Sequence, residues 1–240
     1  MTRAVFAHGF TQTGRSWDRL IDMLSSRLAD FEPNAPDLAG HGDADAVSAN
    51  LWESADRLVA SGGRAAYVGY SMGARTALHA AIAHPDAVER LVLIGATAGI
   101  DDAGEREARR LADDALADRI EAIGVAAFLD VWLANPLFAG LSNAAAGRDD
   151  RLRNTSAGLA SSLRHAGAGT QEPLWDRLHE VRCPTLVLVG EHDPKFRALG
   201  ERLVDGISGA RIEIVADSGH TVHLEQPAAT VDAIVGFLRP

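Results

Sequence analysis

Ser71, Asp193 and His220 are the residues of this chain whose types and order could carry base or nucleophile chemistry. Ser71 lies inside Gly69-Tyr70-Ser71-Met72-Gly73, after a short apolar run, Ala65-Ala66-Tyr67-Val68, and before an alanine-rich segment of helical spacing, Ala74 to Ala83. A G-x-S-x-G at a strand-to-helix junction is the pattern of a nucleophile elbow. It sets a serine on a tight, strained turn, and residues without a Cβ let strand and helix approach there. A serine hydroxyl does little until a histidine takes its proton, and the histidine needs a carboxylate to orient it. Asp193 follows the apolar run Thr185–Val189 within Gly190-Glu191-His192-Asp193, and His220 follows Ile212–Val215 within Gly219-His220. His192 and His223 are the competing assignments for the histidine. His79, His84, His165 and His179 fall in helical or helix-end contexts and are read as surface residues. His8-Gly9-Phe10 follows the first strand. The Phe10 N–H from that loop and the Met72 N–H after the serine form the expected oxyanion hole. His8 is read as structural, because one histidine suffices.

The elements that must position these residues alternate. Strand-like runs at Ala4–Ala7, Ala65–Tyr70, Leu91–Ile94, Thr185–Val189 and Ile212–Val215, with a weaker one near Phe31–Ala35, are separated by segments of helical spacing. Those are Trp17–Leu28, Leu51–Ala60, Ala74–Ala83, Phe196–Ile207 and Val231–Leu238. This βαβα order predicts an α/β fold, a mostly parallel sheet covered by helices on both faces. From about residue 101 to 182 the strands stop and helical patterns take over, Glu105–Ile123, Val125–Leu133, Arg148–Arg151 and Gly158–Ala166. The expected organisation is a core of residues 1–100 and 183–240 with an inserted helical cap, 101–182, and a substrate between cap and sheet at the carboxyl ends of the strands.

At 47% hydrophobic and 23% charged, the composition is that of an ordinary soluble globular protein. A net charge of −10 argues against nucleic acid and anionic membranes as partners, and an acidic substrate would need a local arginine cluster. The single cysteine, Cys183, precedes Pro184 at the start of an apolar strand and is read as a buried structural thiol. With no disulfide and no apolar run long enough to span a bilayer, the expected location is the cytoplasm.

The arginines of the middle segment narrow the chemistry. Arg109 is seven residues before Leu116 and in phase with the stripe Leu116, Ile120 and Ile123, whereas Arg110 is about 100° further round. An inward guanidinium needs a carboxylate or a wet pocket, and it could instead pair with a neighbour such as Asp113. Arg75 is one helical turn after Ser71, on the side of the serine. Arg151 and Arg153 both precede the N-cap cluster Asn154-Thr155-Ser156, and phase does not choose between them. Arginines converging on a serine triad suggest a small substrate with more than one carboxylate.

The chain resembles the α/β-hydrolase-fold lyase family of menaquinone biosynthesis, the 2-succinyl-6-hydroxy-2,4-cyclohexadiene-1-carboxylate synthases. The matching segments are His8-Gly9-Phe10-Thr11, Gly69 through Arg75, Trp132 with Pro136-Leu137-Phe138, and Arg151 through Ala160. Gly167 through Gln171 with Leu174-Trp175, Gly190 through Phe196, and Gly219 through Glu225 complete them. The elbow and the Gly-His segment are common to hydrolases; Arg75, the Asp193-Pro194-Lys195-Phe196 segment and the cap motifs are more specific. Two departures are Ala168, where a threonine is expected, and Ala39, where a proline is expected.

The resemblance implies a reaction without metal or organic cofactor, in which a proton is abstracted from a cyclohexene tricarboxylate and pyruvate is eliminated. It implies Ser71 as the base, activated by His220 and Asp193, with no acyl-enzyme. By position it assigns Arg75, Arg109 and Arg151 to the substrate carboxylates and Tyr70 and Trp132 to the pocket lining. Gln171 is a weaker polar contact, and Lys195 and Phe196 are read as loop structure. The oligomeric state is left open. The competing reading is a serine hydrolase, a carboxylesterase or carbon–carbon bond hydrolase acting on a small carboxylated substrate through the same triad.

Overall fold

The computed structural model describes residues 2–239. Six strands, β1 (Thr2–Ala7), β2 (Phe31–Asn34), β3 (Ala65–Tyr70), β4 (Val88–Ile94), β5 (Thr185–Gly190) and β6 (Arg211–Val215), form one sheet in the order β2-β1-β3-β4-β5-β6. Every neighbouring pair is parallel. Tyr70 lies opposite Ile94, and Ile94 opposite Leu188, so the loops after β3, β4 and β5 leave the same edge of the sheet.

Alternation along each strand divides the core in two. Val5, Tyr67, Leu91, Leu93, Val187 and Val189 pack against α2 (Leu51–Gly62), α3 (Met72–Ala83) and α7 (Pro194–Gly206). Phe6, Val68, Val92, Ile94, Leu186 and Leu188 face α1 (Asp18–Ser25) and α9 (Pro227–Leu238). Burial on both faces explains the unbroken apolar runs of β3 and β5. The edges are blunted, β2 by Pro33 and β6 by the exposed charges of Arg211 and Glu213.

Between β4 and β5 lie α4 (Ala103–Leu133), α5 (Arg148–Arg151) and α6 (Ser156–Ala166). The two helical segments expected on either side of Gly124 are two helices that meet at a kink there. Gly124 has φ 78°, and nothing lies within 4 Å of where a Cβ would project. α4 and α6 enclose an apolar cluster of their own, built on Ala117, Ile120, Phe128, Leu159 and Leu163. His79 departs from the surface position expected of it. α3 is buried along Met72–Ile82, so His79 packs its ring 4.5 Å from Trp52 and donates from Nδ1 to the Arg75 carbonyl at 2.7 Å. Burial pushes its pKa down to about 4. Cys183 is buried, and among the described residues no helix is long and apolar enough to cross a membrane.

Candidate active site

Ser71 sits between β3 and α3 with φ 52° and ψ −107°, a conformation that costs a non-glycine residue about 1–3 kcal/mol. Its N–H donates to the Ile94 carbonyl at 2.9 Å, which ties the elbow to the neighbouring strand. The flanking glycines are required by contact. A Cβ on Gly73 would lie 2.0 Å from the Ala7 carbonyl oxygen, and one on Gly69 would lie 2.4 Å from the Gly73 carbonyl oxygen.

His220 Nε2 is 3.3 Å from Ser71 Oγ, and its Nδ1–H donates to Asp193 Oδ2 at 2.9 Å. The other Asp193 oxygen accepts the Phe196 N–H at 3.1 Å, so the carboxylate caps α7 and orients the imidazole at once. Each oxygen has its own donor, which removes rotational freedom from the group that fixes the histidine tautomer. The Phe196 ring lies 4.2 Å from the imidazole. The competing histidines sit elsewhere: His192 is exposed. His223 is wedged between Trp17 and Tyr70 at 4.6 and 4.4 Å, with neither ring nitrogen partnered, and burial drives its pKa to about 3.

The loop carrying Phe10 is held by two neutral histidines. His8 accepts the Leu38 N–H at Nε2 (2.9 Å) and donates from Nδ1 to the Gly9 carbonyl (2.9 Å). His41 accepts the Thr11 N–H at Nε2 (3.3 Å) and donates from Nδ1 to the Ala39 carbonyl (3.1 Å). Both rings are fully enclosed, and burial lowers both pKa values, that of His41 to about 3. His41 is a residue that sequence reasoning missed. The Leu38–Gly42 segment was noted only for its alanine, and nothing in spacing links it to a loop 30 residues earlier.

Phe10 and Met72 line a cavity of about 710 Å³ together with Ser71 and His220. Arg75, Arg109 and Arg151 reach the same cavity, as do Tyr70 and Trp132. Arg75 is buried and donates from Nη1 to the carbonyls of Ala166 (3.0 Å) and Gly167 (3.2 Å). Arg151 is buried and donates from Nε to the Ala146 carbonyl (2.7 Å) and from Nη1 to Thr11 Oγ1. Neither has a carboxylate partner among the described residues. Arg109 is about half exposed and gives its Nε–H to Asp113 Oδ1 at 2.8 Å, so the ion pair and the pocket position hold together. Asp113 uses its second oxygen on the Gly169 N–H at 3.0 Å. Arg153 does not reach the cavity and pairs with Asp43 (3.2 Å) and Asp150 (3.6 Å).

Lys195 and Phe196, read from sequence as loop structure, occupy the first turn of α7 and line the cavity. Gln171 is buried with Oε1 3.5 Å from Arg75 Nη1 and its Nε2 unpartnered. Trp132 stacks on Phe128 at 5.7 Å and meets Phe10 edge-on at 5.4 Å. The arrangement is a hydrogen-bonded row of Ser71, His220 and Asp193 at a cavity reached by two buried guanidiniums, Arg75 and Arg151, that have no carboxylate partner among the described residues.

Comparison with known proteins agrees in length and in kind. The model of the Alpha/beta hydrolase family matches residues 4–233. The protein of Bacillus subtilis (strain 168) named "Putative 2-succinyl-6-hydroxy-2,4-cyclohexadiene-1-carboxylate synthase" is 39% identical, over 98% of this chain and 89% of its own. The 2-succinyl-6-hydroxy-2,4-cyclohexadiene-1-carboxylate synthase of Serratia proteamaculans (strain 568) is 31% identical, over 98% and 92%. The solved structure of MenH from S. aureus superposes with a TM-score of 0.88 at 30% identity, covering 99% of this chain and 93% of that one.

Proposed function

From the premise that the chain belongs to the Alpha/beta hydrolase family and, within it, to the 2-succinyl-6-hydroxy-2,4-cyclohexadiene-1-carboxylate synthases, we propose that it is the pyruvate-eliminating lyase of menaquinone biosynthesis. Its substrate is 2-succinyl-5-enolpyruvyl-6-hydroxy-3-cyclohexene-1-carboxylate. The observation that carries the reading is the pair of buried guanidiniums, Arg75 and Arg151, without carboxylate partners in the cavity that holds Ser71 and His220. A buried cation without a counter-charge is costly in the free protein and is retained where a ligand supplies the anion. With Arg109 they offer three cations to the three carboxylates of this substrate.

In the proposed reaction Ser71 Oγ removes a ring proton while its own proton passes to His220 Nε2, and Asp193 stabilises the imidazolium. The electron pair moves through the ring as a double bond forms and the carbon–oxygen bond to the enolpyruvyl group breaks. The pyruvate enolate that leaves takes up one proton at carbon, equal to the one gained by the Ser71–His220 pair, and becomes pyruvate. The Phe10 and Met72 N–H groups stabilise the negative charge that develops when the proton leaves. Tyr70 and Trp132 wall the ring, and residues 101–182 act as the cap that excludes water. Only the chain's own groups take part. The site of work is the cytoplasm, consistent with a lone, buried, unpaired cysteine.

The test is pyruvate release, read by coupled NADH oxidation, from substrate generated in situ by the preceding pathway enzyme. Release far above the spontaneous rate, with the diene absorbance rising in step, is the expected result. No acceleration, together with rapid turnover of small carboxylated esters, would replace this reading with the serine-hydrolase one.

A further inference from the structure

Glu225 is not among the residues that the reaction above uses, yet its carboxylate holds the backbone N–H groups of Gly219 and Thr221, the residues on either side of His220. Its Oε2 accepts the Gly219 N–H at 2.8 Å, and its Oε1 accepts the Thr221 N–H at 2.9 Å and the Thr221 Oγ–H at 2.6 Å. Glu225 closes the short helix α8 (Val222–Glu225), and its own N–H returns to the Thr221 carbonyl at 2.9 Å. The bonds to Thr221 alone would tie Glu225 only to the residue that opens its own helix, where Thr221 gives its hydroxyl to the carboxylate and makes no side-chain cap. The bond to Gly219 does more, because it fixes the residue before the histidine and leaves His220 between two anchored residues. The imidazole must keep Nδ1 on Asp193 and Nε2 on Ser71 across the gap between two loops, and a displacement of about 1 Å can cost on the order of 100-fold in rate.

The cap meets the same carboxylate. A Cβ built on Gly140, in the segment between α4 and α5, would lie 2.1 Å from Glu225 Oε2. The backbone of the cap therefore rests directly on the group that anchors His220.

We propose that Glu225 is a positioning residue for the catalytic histidine, clamping the backbone N–H groups of the residues before and after His220, and that the cap touches this clamp through Gly140. The inference rests on Ser71 and His220 working as a pair, and it does not depend on the identity of the substrate.

The test uses the full chain and two readouts that are independent of the lyase substrate. One is the rate at which a fluorophosphonate labels Ser71, which requires His220 as base. The other is the downfield proton resonance of His220 Nδ1–H on Asp193. Glu225→Gln keeps the shape of the side chain but turns one acceptor into a donor facing a peptide N–H. It is expected to slow labelling by about 10–100-fold and to shift or broaden the resonance, while KM for the tricarboxylate stays within about threefold and kcat falls in parallel with labelling. Gly140→Ala, which presses on the carboxylate from the cap, is expected to give the same pattern in a smaller degree and serves if Glu225→Gln does not fold. Wild-type protein that is labelled rapidly, with both variants equally fast and the resonance unmoved, would overturn the clamp. Wild-type protein that is not labelled at all would overturn the Ser71–His220 pairing on which the clamp depends.

Discussion

Replacing Arg75 with methionine should make the protein more stable and nearly inactive. Burial, with a smaller push from the neighbouring Arg109 charge, pulls the Arg75 pKa from 12.5 down to about 10, against a partial offset from Asp113. In the unfolded chain the guanidinium is charged at any working pH, so below pH 10 the fold bears a constant penalty for keeping it charged. At about 1.4 kcal/mol per pH unit, that penalty is on the order of 3 kcal/mol. Methionine relieves it at a cost of roughly 1 kcal/mol for each carbonyl that loses its donor. Those carbonyls are Ala166 and Gly167, and the Gly167 oxygen keeps the Thr170 hydroxyl at 3.0 Å. The balance is a gain of about 1 kcal/mol, or about 2–4 °C in Tm for a domain of this size. In the complex the sign reverses. A substrate carboxylate left buried without its partner costs about 2–5 kcal/mol, which lowers kcat/KM by about 30- to 5,000-fold. Thermal melts of the ligand-free proteins and the pyruvate assay, both on Arg75→Met, check the two halves. A variant that melts several degrees lower while keeping kcat/KM within threefold would show that Arg75 is held for stability, and the reasoning would be refuted.

Arg109 is half exposed and shared with Asp113, so Arg109→Ala should lower kcat/KM for the tricarboxylate by a smaller factor, about 10–100-fold, and leave hydrolysis of a small neutral ester unchanged; equal effects on both substrates would sink the carboxylate role. KM for the tricarboxylate should rise steadily between about 0.05 and 0.5 M NaCl, because screening weakens the attraction of an anion to the arginines, and a flat KM would count against them. His41 is neutral in the fold with its pKa near 3, whereas the unfolded chain takes up that proton near pH 6.5. Stability is therefore complete above about pH 6.5 and falls as pH drops toward 3, by up to about 1.4 kcal/mol per unit. Urea midpoints at pH 7.5 and 5 should show the loss, to which the buried His8, His79 and His223 add in the same direction, and His41→Gln, whose amide can accept from Thr11 and donate to Ala39, should make it smaller. An unchanged slope in the variant would assign the loss to other groups.

The sheet was readable because β3 and β5 are buried on both faces and carry unbroken apolar runs, whereas the edge strand β2, short and interrupted by Pro33, left only a weak trace. The serine elbow was readable for a steric reason, since Gly69 and Gly73 each stand where a Cβ would strike backbone. Helical phase placed Arg109 inward and also allowed its pairing with Asp113; both hold in the structure, which periodicity alone could not decide. Arg151 and Arg153 are separated only by the tertiary contact of α5 with the Thr11 loop, where Thr11 takes the first and Thr13 and Asp43 the second. His79 was misplaced because helical spacing gives no sign that α3 is covered on all sides. His41 and Glu225 act through backbone N–H groups, which leave no mark on side-chain pattern, so their work was invisible before the loops were seen together.

The strand order has a consequence for the chain as it is made. β5 pairs with β4 across about ninety residues of intervening helix, so the finished half-sheet β2-β1-β3-β4 must wait for its neighbour. At roughly 5–20 residues per second on the ribosome, the wait is about 5–20 s. During that time the edge of β4, whose Leu91–Ile94 are fully buried in the end, is open to pairing with other nascent chains. Helices formed from local contacts can fold in the interval and shield it. Asp193 and His220 arrive last, on the loops after β5 and β6. An unfinished chain thus carries the serine without its base, and reactivity is acquired only once the loop after β6 has been made.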